Sequence, residues 1–172
     1  EIQCFGQDIT HLSEPDRTQI GVGRTFQISS VFTELTVIEN IALAVLGIRE
    51  KKWNMWSSVN DIPDLKDKAD EQLSLVGLPG KQDVSVKSLS YGERRQLELV
   101  LALVNGPRLL LLDEPASSLD LGGREDLLKR IEVFAKDPLA PATVIVTHHI
   151  EEIPVGTTHA LLIKDGSIEA SC

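Results

Sequence analysis

Two adjacent carboxylates, Asp113 and Glu114, close an unbroken apolar run at residues 109–112. Four consecutive leucines read as a strand covered on both faces. The carboxyl end of a buried parallel strand is where open α/β sheets hold their ligands. A carboxylate in that place can bind a hard divalent ion or accept a proton from water. Upstream, Ser90 and Glu93 stand in the S-x-x-E spacing of a capping box, which makes Ser90 a helix N-cap and Glu93 its reciprocal partner. The Ser90 hydroxyl and the backbone amide of Gly92 then lie at a helix N-terminus, where unpaired N–H groups and the helix dipole favour an anion. Downstream, His148 follows a β-branched run at 143–147. Each feature alone has an ordinary explanation. Capping boxes are common, an acid after a strand often marks a surface turn, and a lone histidine is more often structural than functional.

The elements needed to position these residues are legible in the pattern. After Ser90, Leu97, Val100, Leu101 and Val104 fall at i, i+3, i+4 and i+7, one buried helical face. Asn105-Gly106-Pro107 stops that helix. Thr36 and Glu39 form a second capping box, opening a helix with Ile38, Ile41, Ala42 and Val45 on one side. Leu65, Ala69, Leu73 and Val76 mark another helix, ended by Gly77 and Pro79. A helix at 122–136 turns Leu127, Leu128, Ile131, Phe134 and Ala135 inward, and the residues at 143–147 (TVIVT) form a buried strand that delivers His148. Residues 2–5 read as a strand entering a turn, 10–19 as a loop or short helix, and 20–27 as a second strand. Lys164-Asp165-Gly166 signals a terminal β-hairpin. Internal repeats and low-complexity tracts are absent.

Composition narrows the function classes. The chain has 172 residues, 42% of them hydrophobic and 25% charged, ordinary for a globular protein with one sizeable core. A net charge of −9 argues against nucleic acid or anionic lipid as a partner bound through a basic field. No apolar run approaches the roughly 20 residues of a membrane-spanning helix. No signal-peptide pattern is present. Cys4 and Cys172, at opposite ends and without metal-ligand spacing, read as two reduced thiols.

Residues 89–120 (LSYGERRQLELVLALVNGPRLLLLDEPASSLD) together resemble the ATP-binding subunits of ABC transporters. Leu89-Ser90-Tyr91-Gly92-Glu93 stands for the signature usually written LSGGQ, residues 109–114 for the Walker B strand, and Ser118-Leu119-Asp120 for the D-loop. Tyr91 and Glu93 depart from the commonest wording, although neither removes the serine hydroxyl or the glycine backbone. Arg24-Thr25-Phe26-Gln27 resembles the family's Q-loop, particularly in branched-chain amino-acid and urea-type importers, and His148 resembles its switch histidine. The implied fold is α/β, a RecA-like P-loop NTPase core of the ABC type with a helical subdomain. Residues 1–48 would supply the first part of the core with the Q-loop, 49–105 the helical subdomain ending in the signature helix, and 106–172 the rest of the core.

The resemblance also implies ligands and partners. The cofactors would be ATP and Mg²⁺. Asp113 would hold the metal, Gln27 would reach both that metal and the attacking water, and Glu114 would take the proton from that water. His148 would contact the γ-phosphate and help hold that water, with a neutral imidazole as the donor. Phosphoryl transfer asks little else of a protein than such positioning and charge stabilisation. Ser90, Gly92, Glu93 and Asp120 would serve a nucleotide held by the opposite subunit of a head-to-tail homo- or heterodimer of ATPase subunits. Transmembrane permease subunits would complete an importer of an amino-acid-like solute, with this chain cytoplasmic and peripheral on the inner face of the membrane. Trp53 and Trp56, in a polar segment, read as an amphipathic surface cover or as part of a permease contact.

One element of the pattern is missing. No G-x-x-x-x-G-K-[ST] occurs, and the single Gly-Lys, Gly80-Lys81, is followed by glutamine. Residues 2–8 resemble the strand that follows the P-loop helix, so the expectation is an N-terminal truncation of at least one βαβ unit, roughly 30 residues. Two further readings stay open. The wording of residues 146–154 (VTHHIEEIP) also suits a soluble ABC ATPase without a permease, and the missing P-loop suits a non-catalytic module presenting its signature face.

Overall fold

The computed structural model describes residues 1–25, 31–47, 64–117 and 119–171. Gln27, Trp53, Trp56, Ser118 and Cys172, all singled out by sequence, lie outside these residues. Two short strands, β1 (Gln3–Cys4) and β2 (Gln7–Asp8), pair antiparallel across a two-residue turn. Phe5 and Gly6 in that turn both have positive φ, 52° and 77°, as a type I′ hairpin requires. Helix α1 (Glu14–Gln19), capped by Ser13, fills the region left open between loop and helix, and leads into β3 (Val22–Arg24).

Helix α2 (Val37–Leu46) begins at the expected capping box. The Thr36 amide donates to Glu39 Oε2 at 2.7 Å, and the Glu39 amide donates to Thr36 Oγ1 at 3.3 Å. Such a cap stabilises a helix by about 1 kcal/mol. The next two orphan amides of this helix are satisfied at long range, Val37 donating to the Val84 carbonyl and Ile38 to that of Gln82. Helix α3 (Leu65–Val76) buries the four residues that its spacing marks and ends at Gly77, φ 82°. Arg130 packs against this glycine so closely that a Cβ there would overlap its guanidinium.

Helix α4 (Tyr91–Leu103) starts at the second capping box. Leu97, Val100 and Val104 are buried as expected; Leu101 is only half-buried, whereas Leu99 and Leu103 are buried. The buried stripe is therefore wider than one i, i+3, i+4 row, because this helix is flanked by α2 and α3 and also lies over the sheet. Within it, Glu98 is buried and paired with Arg95 at 2.7 Å. The chain continues through β4 (Leu109–Asp113), α5 (Leu121–Ala135), β5 (Ala142–Val146) and a hairpin of β6 (Leu161–Lys164) and β7 (Ser167–Ser171). Asp165 and Gly166 turn that hairpin with positive φ, as its sequence signal implies.

Among the described residues β3, β4 and β5 form one parallel sheet with β4 in the middle. Leu110 and Leu112 join side chains of α2, α3, α4 and α5 in a single core. Two expectations about this sheet need correcting. The leucine run is not equally covered on both faces, since Leu109 and Leu111 are only half-buried. Strand side chains alternate between faces, and the helical core lies against the Leu110–Leu112 face. Strand β5 is not buried either. It is an edge strand paired only with β4 among the described residues, and it leaves Val144 and Val146 47% and 56% exposed. In α5, Leu127 and Ile131 are buried and Leu128 and Phe134 half-buried, but Ala135 is exposed because the helix ends there at the margin of the core.

Candidate functional site

Asp113 is the last residue of β4, in register with Val146 of β5. The next residue, Glu114, leaves the strand with φ 46°, a left-handed conformation that costs a non-glycine residue on the order of 1–3 kcal/mol. Its surroundings hold it there. The Glu114 amide donates to the Val146 carbonyl at 2.8 Å, and its carbonyl accepts from the Ser117 amide at 3.1 Å. The bend aims the carboxylate across the strand ends at His148, just past the end of β5. Glu114 Oε1 lies 3.0 Å from His148 Nδ1, although 34 residues separate the two. The glutamate side chain is 26% exposed and the imidazole 63% exposed, so the pair opens to solvent.

This contact constrains the histidine. An ionised carboxylate can only accept, so Nδ1 carries the proton. The other nitrogen, Nε2, of a neutral ring is then an acceptor and has no proton to give a phosphate oxygen. The expected neutral-donor role for His148 therefore needs either a second proton on the ring or release of Glu114. His149 lies beside His148, the two ring centroids 4.1 Å apart, with its Nδ1 3.5 Å from Glu151 Oε1.

Asp113 Oδ2 accepts from Arg24 NH2 at 3.4 Å, a pairing that the sequence did not signal. The donor set fits Mg²⁺. That ion takes one or two carboxylates and completes its shell with water and substrate phosphates. Asp113 and Glu114 supply hard oxygen donors side by side at a strand end. Among the described residues no group of three or more His, Cys, Asp or Glu gathers into a metal site of the all-protein kind. The structure does not describe Gln27, so its expected metal role stays outside this geometry.

The signature residues form a second locus. The Ser90 amide donates to Glu93 Oε2 at 2.8 Å, and Ser90 Oγ accepts from the Glu93 amide at 3.3 Å. Glu93 is thus a helix cap. Its other oxygen is paired with Lys81, whose ammonium reaches it from the loop after α3. The first-turn amides of Tyr91 and Gly92 have no intrahelical acceptor and point out of the helix end. A cleft of about 290 Å³ opens beside them, lined by Ser90, Gly92, Glu93, Leu119 and Gly123. Asp120 caps α5 at the edge of the same region, accepting from the Gly123 amide at 2.8 Å. No hydrogen bond joins this locus to Asp113, Glu114 and His148 among the described residues.

Lys81 and the Ser90 amide hold the Glu93 carboxyl below the usual carboxylate range, with the Lys81 hydrogen bond the larger cause. A carboxyl whose pKa falls on folding contributes stability above its unfolded value, near 4.3. That contribution is lost as pH drops through the lowered folded value. Glu93→Gln is therefore expected to lower the melting temperature at pH 7, and the gap from the parent should close as the pH is taken below about 4. Parallel melts across that range check this. A gap that stays constant with pH would remove the charge of Glu93 from the account.

The chain spans about half or less of the length of several curated relatives that it matches. It is 32% identical over 148 residues to the spermidine/putrescine import ATP-binding protein of Spiroplasma citri, covering 86% of this chain and 39% of that one. It is 36% identical over 172 residues to the sulfate/thiosulfate import ATP-binding protein of Mycobacterium bovis, covering 98% and 44%. Among solved structures, a nucleotide-free ATP-binding cassette from an ABC transporter superposes with a TM-score of 0.77 at 24% identity, over 96% of this chain and 66% of that one. A dimeric cassette in a post-hydrolysis state bound to ADP and Pi gives 0.74 at 22%, over 98% and 70%. These likenesses bear out the P-loop NTPase fold of the ABC type. The sequence family described as ABC transporter matches residues 1–117, more than half of the chain. With its strand-end carboxylates, capped signature helix and cassette fold, this chain belongs to the ABC transporter family.

Proposed function

We propose that this chain is part of an ATP-hydrolysing subunit of an importer, in which Asp113 holds Mg²⁺, Glu114 accepts the proton of the attacking water, and His148 orients that base. The observation that carries the reading is the 3.0 Å contact between Glu114 and His148 at the ends of two parallel strands. Bound Mg²⁺ would supply charge neutralisation at the phosphates. Ser90, the Gly92 amide, Glu93 and Asp120 serve a nucleotide across a head-to-tail dimer, and Gln27 completes the metal shell. The boundaries at 48 and 105 separate the helical subdomain from the two parts of the core.

Relatives named as import ATP-binding proteins support permease partners and a peripheral place at the inner face of the membrane. No described helix is long and apolar enough to cross a membrane. The solute is less constrained. The names of these relatives specify a polyamine and sulfate or thiosulfate, opposite in charge, and neither is amino-acid-like. An amino-acid or urea-type cargo rests on residues 24–27 alone, so the class proposed is a small polar solute.

The test is phosphate release from the protein as its gene encodes it. Release should depend on both ATP and Mg²⁺. The absence of release above a Mg²⁺-free control, in a sample that melts cooperatively, would overturn the reading.

A further inference from the structure

Glu152 is 1% exposed, yet it carries a carboxylate that the chemistry above does not use. Burying such a group is costly unless it is paired and hydrogen-bonded. Its hydrogen-bond partners belong to the turn that presents His148. Glu152 Oε2 accepts from the Thr147 hydroxyl at 2.7 Å. The same hydroxyl oxygen accepts from the His149 amide at 3.1 Å. The Glu152 amide in turn donates to the His149 carbonyl at 3.1 Å. Residues 147–152 are thereby closed into a loop by one carboxylate, and His148 projects from it.

The loop is also anchored. Glu152 Oε1 lies 3.5 Å from Arg124 Nε, a charge contact without a hydrogen bond, and Arg124 NH1 donates to Glu151 Oε1 at 3.5 Å. Arg124 stands one turn into α5, its amide donating to the carbonyl of Asp120 at 2.9 Å. A second tie runs from the Val155 amide to Glu132 Oε1 on the same helix, at 2.9 Å. The edge strand β5 offers the histidine little support of its own, since its residues alternate between half-buried and exposed. The ring touches Glu114 and the His149 ring, and whether it stays there depends on how the turn sets the backbone around it.

We propose that Glu152 is the positioning residue for His148, its buried carboxylate closing the loop through Thr147 and anchoring it on α5 through Arg124, so that the imidazole stays on Glu114. The proposal rests on the hydrolytic reading only for its consequence in turnover; the geometry that it asserts exists without nucleotide.

The test therefore has two arms, on the gene-encoded protein. The first is nitrogen NMR of the histidine rings, with the His148 signals assigned by their loss in His148→Ala. In the parent the ring should sit in one tautomer, protonated at Nδ1. Thr147→Val, which keeps the branched shape but removes the hydroxyl, and Glu152→Ala should both give averaged tautomer signals. Thr147→Ser should rescue the parent pattern. The second arm is phosphate release, expected to fall roughly tenfold in kcat in the Val and Ala variants, within the roughly 10²-fold cost of misplacing a reacting group. Neither variant should lose more in a His148→Ala background, where there is no ring left to position. A parent-like ring spectrum in Thr147→Val overturns the proposal, and so does a further loss of turnover in Glu152→Ala/His148→Ala. If Glu152→Ala does not fold, the Thr147 pair decides alone. If the parent releases no phosphate, the hydrolytic reading fails while the ring spectra still decide this one.

Discussion

Glu114→Gln is expected to lower steady-state phosphate release by about 10² to 10⁴-fold, the usual cost of losing a general base, and to leave Mg-ATP affinity within a few-fold of the parent. The substitution is nearly isosteric. Its amide oxygen can still accept from His148 Nδ1, the partner now 3.0 Å away, and its backbone bonds to Val146 and Ser117 do not involve the side chain. The left-handed conformation at φ 46° is equally strained for either residue. What changes is basicity, because an amide cannot take a proton from water. Single-turnover phosphate release beside a fluorescent-nucleotide titration separates chemistry from binding. Turnover within a few-fold of the parent would remove Glu114 from the role of base and leave it a partner of His148 only.

Ser90→Arg should abolish ATP-driven dimerisation while leaving nucleotide affinity of the monomer nearly unchanged. Ser90 sits at the mouth of the cleft beside α4, exposed, with its hydroxyl at the helix end. Under the proposed head-to-tail assembly that end faces a nucleotide bound by the other subunit. An arginine there fills the cleft and places a large side chain where a phosphate must approach closely. It also forfeits the cap formed by Ser90 Oγ and the Glu93 amide, worth about 0.5–2 kcal/mol, so melts must show that the variant is folded. Sizing chromatography in the Glu114→Gln background, with and without Mg-ATP, reads the outcome. A normal ATP-dependent dimer peak would show that Ser90 does not serve the nucleotide in trans.

Both experiments depend on features of different legibility. Ser90 as a helix cap followed from four residues in a row, and so did the cap at Thr36 and the turn at Asp165-Gly166. In each case the energy that decides the structure is exchanged between groups within one turn of one another, so the sequence contains the whole interaction. The amphipathic spacing of Leu65, Ala69, Leu73 and Val76 was sufficient for the same reason. It fixes a helix and the face to be buried, whatever then covers it.

Covering is where the sequence stopped. Residues 109–112 and 143–147 are both apolar runs, and both read as buried. Among the described residues the structure makes one a central strand and the other an edge strand, because burial depends on neighbours that the run does not encode. Lys81 meets Glu93 across a loop, and Arg24 meets Asp113 from the next strand; no local spacing marks either pair. Glu152 reads as one more acid in a polar turn, and only the packing of that turn onto Arg124 in α5 shows it buried. The contact between Glu114 and His148 divides the same way. The sequence alone determined that an acid follows the Walker B strand and that a histidine follows a later β-branched strand. Their meeting was decided by the parallel register that sets Asp113 beside Val146 and by the left-handed turn at Glu114. That turn is unfavourable for the residue itself, so no local preference predicts it, and it is held by the hydrogen bond from the Glu114 amide to Val146, in a strand more than thirty residues away, and by the contact of its carboxylate with His148.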